Sequence, residues 1–334
     1  MQIISVEYYF IIQVSLLNSF FKNIIHFSRS SRNTIFKLFL YVLILYSTAC
    51  LLYADAYLSE DRVYYGADSY TIDYDREIIY AKGNAFFNKE NRIVNAEKIE
   101  IYYSKTEKRA LFYNNVIIQN RAQKSRIHGN YAEAIYNEEI YTIQGDAVYI
   151  DEDRTIKAQR IETLRGVDTV FYDDVEYTDG IYEIGSSTLH ITDDTARFKT
   201  DVEAQNMETG DIIYCDSFTY FLDSGNIIFQ GNVLYFQKEK KGEKDPLIMK
   251  AELLRYFHEN DIFLFLGDVL ILSGDLTIRT SIARYLRDKG TLEATGDIVV
   301  QDRENFIYCN NVNYDIQTKK VVYFNFVRGV ISGQ

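Results

Sequence analysis

The side chains that most often carry out catalysis or bind metals are few and scattered in this 334-residue chain. The histidines stand far apart, without the paired spacing of a zinc site, at His26, His128, His190 and His258. The sequence contains neither a phosphate-binding loop nor a Gly-x-Ser-x-Gly motif. Acidic pairs such as Asp193-Asp194 fall where turns are expected, which favours hairpins over calcium ligands. We therefore predict no catalytic residue, no metal site and no cofactor.

The overall charge narrows the possible partners. Net charge is −12, which argues against nucleic acid, because binding to phosphates needs clustered Lys and Arg. The acidity is typical of a solvated surface. One enzymatic alternative stays open, since stacked strands can bring two carboxylates together to act on a polysaccharide. No pair in the sequence stands out for that role.

The composition favours extended sheet. The chain has 29 tyrosines and 21 phenylalanines but a single proline, Pro246. Aromatic and β-branched residues suit a pleated, half-buried surface, whereas proline interrupts strand ladders. After residue 60 the apolar residues alternate with a period of two, and no helical stripe is evident. The elements that position any functional side chain are therefore predicted to be strands.

Two sequence elements recur with a period of about 30 residues. The first is Gly-Asp/Asn followed by a small or β-branched residue, as in Gly145-Asp146-Ala147 and Gly231-Asn232-Val233. The second is Ala-x-x-apolar-x-apolar, as in Ala96 to Ile101. Turn residues occupy the gaps, for example Asp223-Ser224-Gly225. Each repeat is predicted to supply two or three short strands, and stacked repeats are predicted to form one elongated solenoid-like domain.

The repeat also constrains the two cysteines outside the leader. Cys215 and Cys309 occupy equivalent positions three repeats apart. If each repeat adds one rung of about 4.8 Å, they lie at least ~14 Å apart, beyond the ~7 Å that a disulfide allows between Cα atoms. Both are predicted to be free, buried thiols.

The N-terminal segment is typical of an export signal. Basic residues precede a nearly continuous apolar run from Thr34 to Tyr53, and Ala54-Asp55-Ala56 provides a small-x-small cleavage site. We expect cleavage after Ala56, which makes 1–56 the signal peptide and 57–334 a single repeat domain. Two alternatives remain open: an uncleaved inner-membrane anchor and lipidation at Cys50. All three predict a periplasmic or envelope location.

The alternation of the two elements resembles the OstA/LptA-like repeat of periplasmic lipopolysaccharide-transport proteins. Ala81-Lys82-Gly83-Asn84-Ala85 and Ala294-Thr295-Gly296-Asp297-Ile298 show it best, and the resemblance extends from about 66 to 330. It implies an all-β fold, an elongated antiparallel β-jelly-roll or β-taco whose apolar interior opens as a groove. It further implies binding of lipopolysaccharide or a related glycolipid, and bridging between inner and outer membranes. The implied partners are other envelope transport proteins with the same fold, joined by strand-edge pairing, and further copies of the chain joined end to end.

The residues expected to line the groove follow from alternation within the repeats. They are Tyr70, Ile72, Tyr74, Ala85, Phe87, Ile99, Ile101, Val116, Ile118, Ala147, Tyr149, Phe218, Tyr220, Val233, Tyr235, Val269 and Ile271. Arg92 and Lys98 are the basic residues expected near its lip. The alternative is that these side chains only pack against one another, in a structural or adhesive surface solenoid without cargo. A filled interior favours that alternative.

Overall fold

The computed structural model describes residues 63–89, 91–106, 108–135, 138–164, 168–238, 246–325 and 327–330. The expected export segment and most of the charged loop between Lys238 and Pro246 lie outside the described residues. The part of the chain that begins at Val63 forms a compact unit of its own. Within the described residues, no helix has the length and apolar character needed to span a membrane.

The described residues form one antiparallel sheet of 20 strands, which confirms the all-β prediction. The strands are β1 (Val63–Gly66), β2 (Ser69–Asp73), β3 (Ile78–Lys89), β4 (Arg92–Tyr103), β5 (Lys108–Asn120), β6 (Ser125–Ile135), β7 (Ile140–Ile150), β8 (Thr155–Leu164), β9 (Asp168–Thr178), β10 (Tyr182–Ile191), β11 (Thr195–Asn206), β12 (Ile212–Phe221), β13 (Ile227–Phe236), β14 (Leu247–Phe257), β15 (Ile262–Ser273), β16 (Leu276–Leu286), β17 (Thr291–Asp302), β18 (Asn305–Asp315), β19 (Lys320–Phe324) and β20 (Arg328–Val330). Two single-turn 3-10 helices, His258–Asn260 and Arg287–Lys289, lie in turns of the described chain.

The strands follow one another as a meander. From β3 to β18, each strand pairs with its neighbours in sequence. Two short strands, β1 and β2, lie on the free edge of β3. Likewise β19 and β20 lie on the free edge of β18. The predicted turns at 151–153, 223–225 and 288–290 each join two long strands.

The Gly-Asp/Asn element has a role that the sequence analysis missed. It lies inside the odd-numbered strands, where one extra residue forms a β-bulge against both neighbours. The backbone there has positive φ, for example +76° at Gly231 and +47° at Asn232. Each repeat therefore supplies two strands joined by turns, a number within the prediction, but the strands from β3 to β18 are 10–13 residues long and not short as expected. Asn232 Nδ2 also donates a 3.0 Å hydrogen bond to Asp216 on the neighbouring strand.

The bulges fold the sheet along one line, the fold line. On even-numbered strands the Ala-x-x-apolar element crosses it: Ala96 and Ile99 are both buried, and the two residues between them face outward together. We call one half of the folded sheet wall A. It contains the part of each odd-numbered strand that precedes the bulge and the part of each even-numbered strand that follows the fold line. Wall B is the other half. The hydrophobic core lies between the two walls, and their free edges meet along a seam opposite the fold line.

The cysteine prediction is confirmed with one correction. Cys215 and Cys309 are both free and buried. They lie on β12 and β18, which are six strand steps apart, not three, because each repeat contributes two strands. At about 4.8 Å per step the separation along the sheet is about 29 Å.

Replacing a bulge glycine tests the fold line. A Cβ at Gly231 would meet the Asp216 carboxylate in a backbone conformation that L-residues rarely adopt, so we expect Gly231→Ala to cost about 1–3 kcal/mol. The matched control is Gly185→Ala on β10, where nothing lies within 4 Å of the new methyl group. It should change stability by less than about 0.5 kcal/mol. Urea unfolding monitored by circular dichroism measures both, and equal effects would contradict the bulge assignment.

Candidate functional site

The inner surface consists of apolar rows that cross the whole sheet. Residues directly opposite one another on neighbouring strands point to the same face, so the pairing defines each row. On wall B, the inward-facing row farther from the fold line consists of Tyr65, Phe87, Val94, Ile118, Ile127, Tyr149, Ile156, Tyr177, Ile184, Ala204, Ile213, Tyr235, Met249, Ile271, Ile278, Val300 and Ile307. The matching row of wall A beside the fold line runs through Tyr70, Ala81, Ile99, Phe112, Ala132, Ile143, Ile161, Phe171, Leu189, Phe198, Phe218, Phe229, Leu254, Phe265, Ala283, Ala294, Val312 and Tyr323. Neither row contains a charged side chain.

The structure brings most of the predicted lining residues together between the walls. Those that are buried are Ala85, Phe87, Ile99, Ile101, Val116, Ile118, Ala147, Phe218, Val233, Tyr235, Val269 and Ile271. Ile72, Tyr149 and Tyr220 are partly buried and pack against this cluster. Tyr70 and Tyr74 are instead 62% and 78% exposed. Tyr70 lies opposite Ala81, so it faces inward but at the uncovered end of the sheet; Tyr74 follows β2 in a turn.

Sequence reasoning missed the aromatic half of wall A. Each missed residue stands two positions before a bulge, in the pattern apolar-x-Gly/Asx or its degenerate form. They are Phe112, Phe171, Phe198, Phe229 and Phe265. The same pattern is visible in Ala81-Lys82-Gly83, so the signal was present in the repeat itself.

Aromatic pairs join the two walls at a regular offset. A wall B residue of one odd strand contacts a wall A phenylalanine of the next odd strand, with ring centroids 5.4–5.9 Å apart. The pairs are Phe87–Phe112, Tyr149–Phe171, Tyr177–Phe198 and Tyr235–Phe265. All four are edge-to-face, a geometry that contributes about 0.5–1.5 kcal/mol per pair beyond burial. The same type of aromatic contact therefore joins the two walls at four positions along the repeats.

Within the described part of the chain, side chains pack the space between the walls. Two interior cavities lined by described residues measure about 30 and 20 Å³. Both are far below the ~300–1,000 Å³ of typical ligand pockets. The larger lies beneath Arg287 and is lined by Phe218, Phe229 and Phe263 among others.

A charged cluster closes the seam near β12 to β16. Arg287, at the edge of wall A, contacts both oxygens of Asp261 at 2.9 and 2.7 Å. The same guanidinium reaches Asp211 at the edge of wall B, 3.4 Å away. Asp211 is buried and accepts further hydrogen bonds from the Tyr235 hydroxyl (3.0 Å) and the Lys238 backbone N–H (3.1 Å). We call Arg287, Asp211 and Asp261 the seam clasp.

Burial and charge shift the pKa of Arg287 and of two tyrosines beside the clasp. Burial alone would lower the pKa of Arg287, but the hydrogen bond and negative charge of Asp261 outweigh it and raise that pKa. Burial, followed by the charge of Asp211, raises the pKa of Tyr235 well above its usual value. Burial also raises the pKa of Tyr285 to about 12. The Tyr285 hydroxyl accepts a 3.0 Å hydrogen bond from Gln237 across the seam. The arginine is therefore charged and the tyrosines neutral throughout the physiological range.

Other polar contacts cross the seam at its two ends. Arg92, on wall B, lies 4.6 Å from the ring centre of Tyr141 and donates to the Glu139 carbonyl on wall A. Ser273 and Tyr314 hydroxyls lie 2.8 Å apart across the seam. Arg92 is thus at the lip, as predicted. Lys98 lies on the outer face of wall A and pairs with Glu100 at 2.6 Å, so its expected place at the lip was wrong.

No metal site emerges from the described side chains, where groups of three or more His, Cys, Asp or Glu with metal-binding geometry are absent.

The folded sheet and its rows define a class of protein: a β-jelly-roll of tandem repeats around an apolar interior. Residues 66–169 match the sequence model of the family described as LptA/(LptD N-terminal domain) LPS transport protein. Over residues 66–169, this match confirms the resemblance seen in the repeats. Among solved structures, the chain is similar to LptH of Pseudomonas aeruginosa, the LptA-homologous periplasmic component of its lipopolysaccharide-transport device. The identity is 13%, with 54% of this chain and 95% of LptH covered and a TM-score of 0.21. No curated protein matches significantly.

Removing the arginine of the clasp tests its contribution to stability. Arg287→Met leaves the largely buried carboxylates of Asp211 and Asp261 without their cation, so the free energy of unfolding should fall by about 3 kcal/mol or more. Arg303→Met is the matched control, because its pair with Asp275 is 3.1 Å long but highly exposed. That variant should lose less than about 1 kcal/mol. Similar losses in urea unfolding would show that the clasp does not hold the walls together.

The cysteines report on the closed interior. Burial raises the pKa of the Cys215 thiol to about 12 and also raises that of Cys309. At pH 8 both should be protonated and shielded in the folded chain, whereas unfolded thiols with a pKa of about 8.5 are partly ionised. We expect neither to react with a disulfide reagent until denaturant is added, in a chain whose Cys50 is replaced by serine. Fast reaction in the folded state would place a cysteine-bearing strand outside the core.

Proposed function

We propose that this protein carries lipopolysaccharide or a related glycolipid across the aqueous space between inner and outer membranes. The observation that carries the proposal is the pair of uncharged inner rows: the wall A row extends from β2 to β19 over 17 strand-to-strand steps, and the wall B row extends from β1 to β18. At about 4.8 Å per strand, the 17 steps give an apolar track of about 80 Å. The match of residues 66–169 to a family of lipopolysaccharide-transport proteins supports the same function.

The driving force is transfer of acyl chains from water to an apolar surface. Each CH₂ group that leaves water gains about 0.8 kcal/mol. A lipid with several chains therefore does not cross water alone, but it can move along a track that keeps its chains covered. Since side chains fill the interior in this structure, entry of a lipid requires the walls to separate along the seam.

The two ends of the sheet suit continuation of the track into a partner. Wall residues that would be buried elsewhere are open at the ends, such as Tyr65 and Tyr70 on β1 and β2. The outer edges of β1, β2, β19 and β20 have no neighbouring strand among the described residues. Such edges pair readily with another strand. We infer that envelope transport proteins of the same fold, or further copies of this chain, dock there in the periplasm.

The filled interior favours a second function, a structural or adhesive solenoid without cargo. Four edge-to-face aromatic pairs between the walls and the seam clasp suit a permanently closed core. This function predicts that the walls never separate. The two functions therefore differ in whether lipid reaches the inner rows.

Photo-crosslinking from adjacent residues separates these functions. Tyr65 continues the inner row of wall B, whereas Tyr64 faces outward, and both tyrosines are exposed enough to accept benzoylphenylalanine. In a host that makes lipopolysaccharide, we expect crosslinked glycolipid from position 65 and at least tenfold less from position 64. Tyr149 and Val148 provide a second inner and outer pair in the middle of the sheet.

The readout is a mass shift of the chain and detection of the glycolipid on the same band. Glycolipid at both inner positions supports carriage along the track. Its absence from both, in variants that keep the circular dichroism of the parent, would exclude carriage and leave the structural solenoid.

A further inference from the structure

The outer face of wall B changes character along the sheet. From β12 to β20 its outward positions form two adjacent rows defined by the strand pairing. One row is Tyr214, Leu234, Lys250, Leu270, Arg279, Val299, Tyr308 and Arg328. The other is Ile212, Phe236, Ile248, Leu272, Thr277, Gln301, Phe306 and Val330. We call these two rows the outer patch.

The outer patch is apolar and basic in a chain of net charge −12. Neither of its rows contains a carboxylate. Carboxylates border the patch along the fold line, at residues such as Asp216 and Glu252, and at two other places: Glu203, which lies opposite Tyr214, and Asp275 at the seam edge. Its three cations, Lys250, Arg279 and Arg328, are exposed and form no ion pair with another described residue. Unpaired cations among apolar side chains are suited to an anionic partner.

The same face is acidic on the preceding strands. Between β8 and β11 the outward positions include Glu176, Glu183 and Glu203, which line an open cavity of about 420 Å³ with Lys157. Lys157 is paired there with Glu176 at 2.8 Å. One continuous sheet surface thus divides into an acidic zone and the outer patch, although the repeat that builds both is the same.

The side chains of the outer patch suit a lipid surface. Tyr214 and Tyr308 are 38% and 45% exposed, and Phe236 lies 6.0 Å from Tyr214 by ring centres. Aromatic rings next to Lys and Arg are typical of the membrane–water interface, where rings reach the acyl boundary and cations reach phosphates. The patch is a broad sheet surface without a described cavity, so it fits a bilayer better than a peptide. A second copy in face-to-face contact would bring like charges together.

We propose that the outer patch docks the protein on an anionic lipid bilayer. Lys250, Arg279 and Arg328 contact lipid phosphates, while Tyr214, Phe236 and Tyr308 enter the headgroup region. The contact is made from outside the jelly roll and uses intact bilayer lipids. It therefore does not depend on whether the interior carries a glycolipid, and a negative crosslinking result from the inner rows leaves it standing.

Vesicle co-sedimentation tests the proposal. The chain from Tyr57 onward is used in every arm, because the described unit begins at Val63 and is compact by itself, and the apolar leader is then absent. We expect binding to vesicles of phosphatidylglycerol mixed with phosphatidylcholine, and at least tenfold weaker binding to phosphatidylcholine alone. Raising the salt from about 0.1 to 0.5 M should weaken binding, since screening lengths shorten.

Two charge-reversal variants locate the binding surface. Lys250→Glu with Arg279→Glu should reduce anionic-vesicle binding at least tenfold. Arg197→Glu with Lys199→Glu makes the same charge change at exposed positions on the outer face of wall A, and it should retain most of the binding. Circular dichroism confirms that both variants fold.

Three outcomes would overturn the proposal. One is no binding of the unaltered chain to phosphatidylglycerol vesicles. Another is an equal loss in both variants, which would indicate an effect of net charge alone. The third is concentration-dependent dimerisation that only the Lys250→Glu, Arg279→Glu variant loses, without vesicle binding, which would make the patch an interface between copies.

Discussion

One backbone constraint underlies the folded sheet: each odd-numbered strand from β3 to β17 contains one residue more than its neighbours at the fold line. The extra residue adopts positive φ, so Gly, Asn or Asp recurs there at nearly every repeat. A flat sheet of this width would expose one apolar face to water. Because all bulges lie on one line, the sheet folds over that face and covers it. The apolar interior, the seam and the two different outer surfaces all follow from that fold.

The alternation within each strand was predictable because its period of two is local. The connection across the fold line was not, since the rule differs between alternate strands. On an odd-numbered strand, the inward-facing residues on the two sides of the bulge are four positions apart, as Ala81 and Ala85 are. On an even-numbered strand, the inward-facing residues on the two sides of the fold line are three positions apart, as Ala96 and Ile99 are. The predicted residues that follow the bulges were therefore assigned to the correct face. The phenylalanines that precede the bulges were missed.

The seam clasp had no comparable signal in the sequence. Arg287 and Asp211 are 76 residues apart and lie in turns at opposite edges of the sheet. Their contact depends on how the two walls are offset along the sheet. Each repeat's part of wall B packs against the part of wall A that belongs to the next repeat in the sequence. That offset arises from sheet twist, which is a property of the assembled strands and not of any one repeat. Position 287 is also an ordinary turn residue by composition, so its role becomes visible only in three dimensions.

The size of each energy contribution explains how a filled interior is compatible with the proposed lipid track. An acyl chain of about twelve carbons gains roughly 10 kcal/mol on leaving water, at about 0.8 kcal/mol per CH₂. Separating two repeats breaks about two edge-to-face pairs, which contribute only about 0.5–1.5 kcal/mol each beyond burial. The lipid also replaces much of the apolar contact that the walls lose. Among the described residues, polar contacts cross the seam near Arg92 and from Asp211 onward. The proposed separation of the walls therefore breaks the fewest of these polar contacts in the stretch between them, and the clasp, with the buried carboxylate of Asp211, opposes separation most strongly.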